Sequence, residues 1–327
     1  MHFLSPRSRR WFMSGFLFLS AALSGCATQT YSVSQHRTAG LPAQAELKQT
    51  PFFPQEDYQC GPAALAMSLG DNGIRVDPDS LVSQVYLPKR KGSLQLEMLA
   101  TARRQGAISV TIPGELTALL AEVAAGRPVV VLQNLGLSFS PLWHYAVVVG
   151  YDLDRSEIIL RSGTTERLVM PMSTFEHTWA RSQHWAMVSL APGQLPHTVD
   201  ADAMAAALIA FERDNQSLPV YQSYAAALAR WPDHPSLLMG AGNAAFALQD
   251  YSAAEKHFAI ASQRNPESAA TLNNLALTLA HLGRFDEARQ AANQALALRS
   301  TWTSVINATL KTIDDLQATL SATPRSN

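Results

Sequence analysis

The sequence predicts an α+β domain followed by an all-α repeat domain. Between residues 51 and 191, helical segments come first and short β-branched runs follow, an order typical of α+β folds. Beyond residue 200, helical patterns recur with a spacing of 34 residues, a period that indicates a helical repeat array. The chain has 327 residues, which fits two domains of roughly 100–200 residues each.

The composition is that of a globular protein without a nucleic-acid surface. Hydrophobic residues make up 47% of the chain and charged residues 16%, which argues against wholesale disorder. Lys plus Arg total 25, and Asp plus Glu total 26. Because these charges nearly cancel, we expect no nucleic-acid partner.

The first 26 residues are predicted to be a signal peptide. Three arginines within residues 7–10 precede the apolar stretch Trp11–Leu23, which has the length of a signal core rather than of a membrane span. The stretch ends in Leu-Ser-Gly-Cys26, which resembles the lipobox of bacterial lipoproteins. This resemblance implies that Cys26 is lipidated and becomes the mature N-terminus, and that Ala27 after it favours sorting to the outer membrane. A plain secretory signal and an uncleaved anchor are the alternatives.

We therefore expect a protein of the bacterial cell envelope that faces the periplasm and is held at the membrane by acyl chains. Residues 27–50 are polar, show little periodicity, and are predicted to be a tether. The first folded domain is predicted at 51–191, a linker at 192–200, and the repeats with a capping helix at 201–320.

Cys60 is the candidate nucleophile. The chain has two cysteines, so lipidation of Cys26 leaves Cys60 without a disulfide partner, either as a buried inert residue or as a functional thiol. A proline-containing loop precedes Cys60, whereas Gly61 and Pro62 open a helix of Ala, Leu and Met. At such a helix start, the dipole and free N–H groups are expected to lower the thiol pKa from about 8.5 and to stabilise an oxyanion.

The sequence Cys60-Gly61-Pro62-Ala63 resembles the papain-like peptidase family that removes double-glycine leader peptides from bacteriocins. The resemblance implies that Gln55 is the upstream glutamine whose amide donates to the oxyanion, with Gln59 as the alternative. It also implies a papain-like α+β fold for the whole first domain.

His144 is the candidate base among nine histidines. It opens the run His-Tyr-Ala-Val-Val-Val-Gly150, which predicts a central strand. The peptidase family carries its catalytic histidine at the start of a similar strand, and the resemblance implies this role for His144.

The third member of the triad departs from the family pattern. The family places an Asp at the end of the next strand, where this chain has Ser162. A hydroxyl accepts from an imidazole N–H but orients it less strongly than a carboxylate does, so the departure implies weaker catalysis. Asp152 and Asp154 are alternatives, although both fit a turn.

The remaining elements of the first domain follow from local signals. Ser93 is predicted to cap a helix that ends at Arg104, and a second helix is expected over 115–125. Strands are predicted at 128–132, 144–151, 157–161, 166–171 and 185–190.

The C-terminal region resembles the tetratricopeptide repeat. Pro232 and Pro266 lie 34 residues apart, and Ser300 lies the same distance beyond. The repeat pattern is carried by Gly242, Tyr251, Ala254, Phe258, Ala261 and Pro266, then by Ala276, Gly283, Phe285, Ala288 and Ala295, and in a degenerate first unit by Tyr224, Ala227 and Pro232. A capping helix is expected at 303–320. An unrelated Ala-rich helical hairpin is the alternative.

The leading functional hypothesis is a cysteine peptidase that acts on a peptide or protein substrate and docks a protein partner through its repeats. No metal or cofactor is expected. A catalytically weak peptidase fold used as a binding scaffold, and another Cys–His acyl transfer in the cell envelope, are the alternatives.

Overall fold

The computed structural model describes residues 27–35, 40–54, 59–87, 92–137 and 139–322. These residues form two compact units. The first unit comprises the residues up to 71 together with 86–92 and 111–187, and the second comprises 72–85, 93–110 and 188 onward. The predicted signal peptide, with Cys26, and Gln55 lie outside the described residues.

The α+β part contains helices and strands, as predicted. Its helices are α1 (Thr28–Gln35), α2 (Cys60–Asp71), α3 (Pro78–Val85), α4 (Gln95–Arg104), α5 (Leu116–Ala124) and α6 (Met172–Ala180). Its strands are β1 (Gln44–Glu46), β2 (Tyr86–Leu87), β3 (Gly92–Ser93), β4 (Ile108–Thr111), β5 (Val129–Asn134), β6 (Trp143–Asp152), β7 (Glu157–Ser162), β8 (Thr165–Pro171) and β9 (Ala186–Leu190).

An antiparallel sheet forms the centre of the first unit. Its order is β9-β5-β6-β7-β8, and β1 pairs with the end of β6. Gly150 in β6 permits this last pairing, because a Cβ there would lie 2.8 Å from the carbonyl oxygen of Ala45 in β1. The two-stranded pair β2-β3 is separate from this sheet. The last three residues of β9 belong to the second unit, in which β9 is hydrogen-bonded to β4.

Helix α2 is the buried helix of the first unit. Every residue from Gly61 to Leu69 is buried, and the helix packs on β6 and β5. A helix that is apolar on nearly all sides is surrounded by other elements on most of its surface. Its first residue is therefore held in a fixed position relative to the start of β6.

Residues 27–50, predicted to be a tether, contain two regular elements. The backbone N–H groups of Gln29 and Thr30 in α1 donate to the two carboxylate oxygens of Glu176, at 3.0 and 2.6 Å. A carboxylate from α6 thus caps the start of α1. The prediction of a tether is wrong for α1 and β1, because their polar groups find partners on distant elements that local sequence does not reveal.

The cap predicted at Ser93 is also wrong. Helix α4 begins at Gln95, and Leu94 occupies its N-cap position without a side-chain hydrogen bond. Ser93 instead lies in β3. The predicted strands of the main sheet are confirmed to within two residues at each end.

The second unit contains the helical repeats. Its helices beyond residue 200 are α7 (Ala201–Glu212), α8 (Ser217–Arg230), α9 (Pro235–Ala247), α10 (Tyr251–Arg264), α11 (Ala269–His281), α12 (Phe285–Ala297) and α13 (Thr303–Ala322). Residues 191–200 contain no helix or strand. The small residues of the pattern let the helices approach closely, since a Cβ at Gly242 would lie 2.4 Å from the Phe258 ring. The predicted α+β domain followed by an all-α repeat domain is confirmed.

Candidate active site

Cys60 is the first residue of α2, where helical N–H groups are unpaired. The carbonyl oxygen of Gln59 accepts from the N–H of Ala63 at 3.2 Å, and Pro62 has no N–H. The N–H groups of Cys60 and Gly61 therefore have no acceptor within the helix, and both lower the pKa of the Cys60 thiol. The thiol is free and half-buried.

The packing of α2 on β6 brings this sulfur to the start of β6. The backbone N–H of Tyr145 is a further donor to the Cys60 sulfur, and Tyr145 directly follows His144. Cys60 and His144, which are 84 positions apart in the sequence, thus lie on two elements that pack together.

Ser162 holds the imidazole of His144 through one of its two ring nitrogens. The imidazole Nε2 lies 2.9 Å from Ser162 Oγ. Because Nε2 is engaged by the hydroxyl, Nδ1 is the nitrogen left to exchange a proton with a thiol. His144 and Ser162 lie on the adjacent antiparallel strands β6 and β7, which fixes the pair through the sheet.

The two alternative aspartates are turn residues. Asp152 is the last residue of β6, whereas His144 lies at its beginning, and the Asp152 carboxylate accepts from the Arg155 N–H at 3.0 Å. Asp154 lies in the turn between β6 and β7. Neither position places a carboxylate where Ser162 contacts the imidazole.

Gln55 lies outside the described residues, so its predicted role at the oxyanion stays a prediction. Gln59, its alternative, directly precedes the helix and supplies the first carbonyl acceptor. In the described part of the chain, the backbone N–H groups at the start of α2 have the geometry that an oxyanion site requires.

Burial determines the charge state of the pair. It raises the pKa of the Cys60 thiol, and this effect outweighs the backbone N–H groups of Tyr145, Gly61 and Cys60, which lower it. Burial likewise lowers the pKa of His144. The expectation of a lowered thiol pKa is wrong, because the low-dielectric surroundings disfavour the thiolate more than the helix start favours it. Both shifts favour the neutral forms, a thiol at Cys60 and an uncharged imidazole at His144.

Sequence reasoning missed two participants. The donor at Tyr145 is a backbone N–H, which residue identity does not reveal. Only the packing of α2 on β6 shows that it acts on the Cys60 sulfur. Gln133 lies directly opposite His144 in the β5–β6 pair, is 2% exposed, and donates from its amide to Thr178 at 2.6 Å. No motif marks Gln133, which fixes the strand beside the base to α6.

Among the residues in the described ranges, no group of three or more His, Cys, Asp or Glu side chains is placed to hold a metal ion. The site's described hydrogen-bonding and proton-transfer groups are those named above. They suit attack by sulfur on a carbonyl carbon with proton transfer through an imidazole.

Comparison with known families agrees with this geometry. The model of the Peptidase_C39-like family matches residues 47–187, and a tetratricopeptide-repeat model matches residues 222–261 and 240–302. The chain contains a C39-like peptidase domain followed by tetratricopeptide repeats. The C39-like match includes Cys60, His144 and Ser162. None of the curated proteins compared with it matches the chain.

Solved structures similar to the C39-like domain share about a fifth of their residues with it. A Bacillus anthracis protein described as a C39-like peptidase is 19% identical, with a TM-score of 0.38, over 48% of this chain and 100% of its own. The peptidase domain of Streptococcus ComA, a bifunctional ABC transporter, is 21% identical, with a TM-score of 0.36, over 44% and 99%. A double-glycine-motif protease from an AMS/PCAT transporter, solved with its leader peptide, is 19% identical, with a TM-score of 0.34, over 43% and 91%.

Proposed function

We propose that this protein is a cysteine peptidase anchored to the bacterial cell envelope, with Cys60 as nucleophile, His144 as base and Ser162 as the residue that positions His144. The observation that carries the proposal is the meeting of the α2 N-terminus with the start of β6, which puts the Cys60 sulfur on the N–H of the residue after His144. The C39-like family match supports a peptide as substrate.

The proposed reaction proceeds through an acyl-enzyme. Nδ1 of His144 accepts the thiol proton as the Cys60 sulfur attacks the peptide carbonyl carbon, and the N–H groups at the start of α2 stabilise the oxyanion together with Gln55. The C–N bond breaks as the imidazolium protonates the leaving amine. A water molecule, deprotonated by His144, then attacks the thioester, and the sulfur leaves with its proton restored.

The envelope location is part of the same proposal. It is supported by the arginines, the apolar core and the lipobox-like tetrapeptide of residues 1–26. In the part of the chain that the structure describes, no helix is both long and apolar enough to span a bilayer. Acyl chains at Cys26 would supply the membrane affinity.

The repeats are proposed to dock a protein, which is either the substrate or a regulator. A groove of about 340 Å³ lies among α7 to α11 and exposes both polar and apolar groups; it is lined by Ile209, Glu212, Tyr224, Pro235, Ser236, Met239, Gly240, Asn243, Ala261, Asn265, Ser268 and Thr271. Its size and mixed lining suit a short peptide segment.

Cleavage of a peptide library by the purified protein tests the peptidase assignment. We expect cleavage by the wild type, its loss in Cys60→Ala and a large loss in His144→Ala, with Ser34→Ala in the exposed part of α1 as a matched control. Cleavage that persists in Cys60→Ala would exclude the proposed nucleophile. The mass of the mature N-terminus tests lipidation of Cys26 independently.

Two alternatives rest on specific observations. The raised thiol pKa and the hydroxyl at the third position favour a binding scaffold without turnover. The same Cys–His pair also permits transfer of the acyl group to an amine instead of water. A trapped thioester that an added amine discharges much faster than water would support the transfer, and absence of any thioester would support the scaffold.

A further inference from the structure

The loop between β5 and β6, together with the first residue of β6, displays large apolar side chains to solvent. Leu135, Leu137, Phe139, Leu142 and Trp143 are 45–82% exposed. No Asp, Glu, Lys or Arg occurs between Arg127 and Asp152. We call the described residues 135–137 and 139–143 the apolar hairpin. Clustered exposed apolar groups mark an interaction site rather than ordinary surface.

The apolar hairpin is built to hold these side chains outward. The Asn134 side-chain oxygen accepts from the N–H groups of Gly136 and Leu142 at 3.0 and 2.9 Å, and Leu135 N–H donates to the Leu142 carbonyl at 2.9 Å. Gly136 allows the two sides of the hairpin to approach each other, because a Cβ there would lie 2.3 Å from the Ser140 carbonyl oxygen. Hydrogen bonds within the hairpin therefore fix its backbone, and the fixed backbone holds the apolar side chains in the solvent.

A cation lies at the base of the apolar hairpin. The guanidinium of Arg181 donates to the carbonyl oxygens of Asn134 and Gly136, at 3.1 and 2.6 Å, and Arg181 is exposed. An apolar tip, a tryptophan near its base and an adjacent arginine follow the polarity order of a membrane interface, where tryptophan lies at headgroup level and cations meet lipid phosphates.

Helix α1, the first element of the described residues, is linked to the segment that holds this base. The Gln29 amide donates to the Gly114 carbonyl at 3.2 Å, and a Cβ at Gly114 would lie 3.7 Å from the carbonyl oxygen of Gln183. Gln183 is two residues beyond Arg181, which holds the apolar hairpin. Helix α1, which begins two residues after Cys26, and the base of the hairpin are thus linked through Gly114 and the segment 181–183.

We propose that the apolar hairpin inserts into the bilayer interface next to the lipid anchor, as a second membrane contact made by the peptidase domain itself. The inference rests on the proposed lipidation of Cys26. An anchor at Cys26 raises the effective concentration of the hairpin at the lipid surface, so that even weak insertion of Leu137 and Phe139 becomes favourable. The site that begins at His144, directly after the hairpin, is thereby held at the membrane surface.

The test uses the full-length lipidated chain in vesicles of phosphatidylethanolamine and phosphatidylglycerol. A nitrobenzoxadiazole dye is attached at Phe139→Cys or, as matched control, at Thr164→Cys in the exposed β7–β8 turn, each with Cys60→Ser. Nitroxide groups on the lipid chains are expected to quench the dye at position 139 several-fold more than at position 164. Equal quenching at both positions would overturn the proposal.

Two further readouts separate this proposal from those it builds on. The N-terminal mass reports lipidation. The quenching experiment does not require peptidase activity, so it remains informative even if the wild type shows no turnover.

The double variant Leu137→Asn, Phe139→Asn, with Cys60 present, is expected to cleave a short soluble peptide within about 2-fold of wild type. This corresponds to a change well under 1 kcal/mol in barrier height. A loss as large as that of Cys60→Ala would show that the hairpin binds the peptide substrate, and would contradict the membrane proposal.

Discussion

The contact between His144 and Ser162 is the residue-scale feature on which the proposed chemistry depends. The hydroxyl engages Nε2 at 2.9 Å and so leaves Nδ1 for the proposed exchange with the thiol, but it carries no charge to stabilise the imidazolium that this exchange would form. A carboxylate would provide both orientation and charge. The protein is therefore expected to have an oriented base whose conjugate acid is poorly stabilised.

Substitution at Ser162 should separate these two contributions. Ser162→Ala is expected to lower kcat/KM about 10-fold, because a hydrogen bond to a charged group contributes about 1.5 kcal/mol. Ser162→Asp is expected to move the acid limb of the pH profile to higher pH, because a carboxylate raises the imidazole pKa. Thr165→Ala, opposite Ser162 in the β7–β8 pair, is the control. An acid limb that Ser162→Asp leaves unmoved would contradict the positioning role.

The charge state of the unliganded pair gives a second prediction. Burial lowers the His144 pKa and raises that of Cys60, so the imidazole stays neutral below its ordinary value of about 6.5 and the thiol stays protonated above about 8.5. Alkylation of Cys60 by iodoacetamide should therefore rise steadily from pH 7 to pH 10, while the acid limb of kcat/KM lies below pH 6.5. An alkylation rate already maximal near pH 6 would reveal a preformed thiolate–imidazolium pair.

At the scale of elements, one substitution tests how the repeats pack. Gly240 in α9 faces the Tyr224 ring of α8, and a Cβ there would lie 2.1 Å from the ring. Alanine favours a helix over glycine by about 1 kcal/mol, whereas overpacking costs about 1–3 kcal/mol. Gly240→Ala should therefore lower the melting temperature of the repeats by several degrees in circular dichroism. Ser252→Ala, on the exposed face of α10, should leave it unchanged or raise it slightly.

The elements that local sequence predicts well are those whose stability is local. The β-branched run of β6 and the Gly-Pro start of α2 set their own conformation, and both were predicted within a residue or two. Helix α1 depends on Glu176, which lies almost 150 positions away, and no local pattern indicates that contact. The positions of Cys60, His144 and Ser162 could be predicted from motif resemblance. Their charge states could not, because desolvation is a property of the packed domain.

At the scale of the whole molecule, the two proposed activities lie on separate parts of the chain. Peptide-bond chemistry is assigned to the meeting of α2 with β6 in the first unit. Docking is assigned to the groove of the repeats in the second. A protein substrate that uses both would gain affinity through linked binding, whereas a short peptide would use the first alone.

This separation predicts a selective kinetic effect. Asn243 lines the groove and is exposed, so Asn243→Glu adds charge and bulk there without disturbing the core. We expect KM for a docked protein substrate to rise about 10-fold, which corresponds to about 1.4 kcal/mol of lost binding, with kcat/KM for a short peptide unchanged. Thr312→Glu, on the exposed side of α13, provides the matched control. If Asn243→Glu slows both substrates equally, the groove does not dock the substrate, and the repeats must bind a partner that takes no part in cleavage.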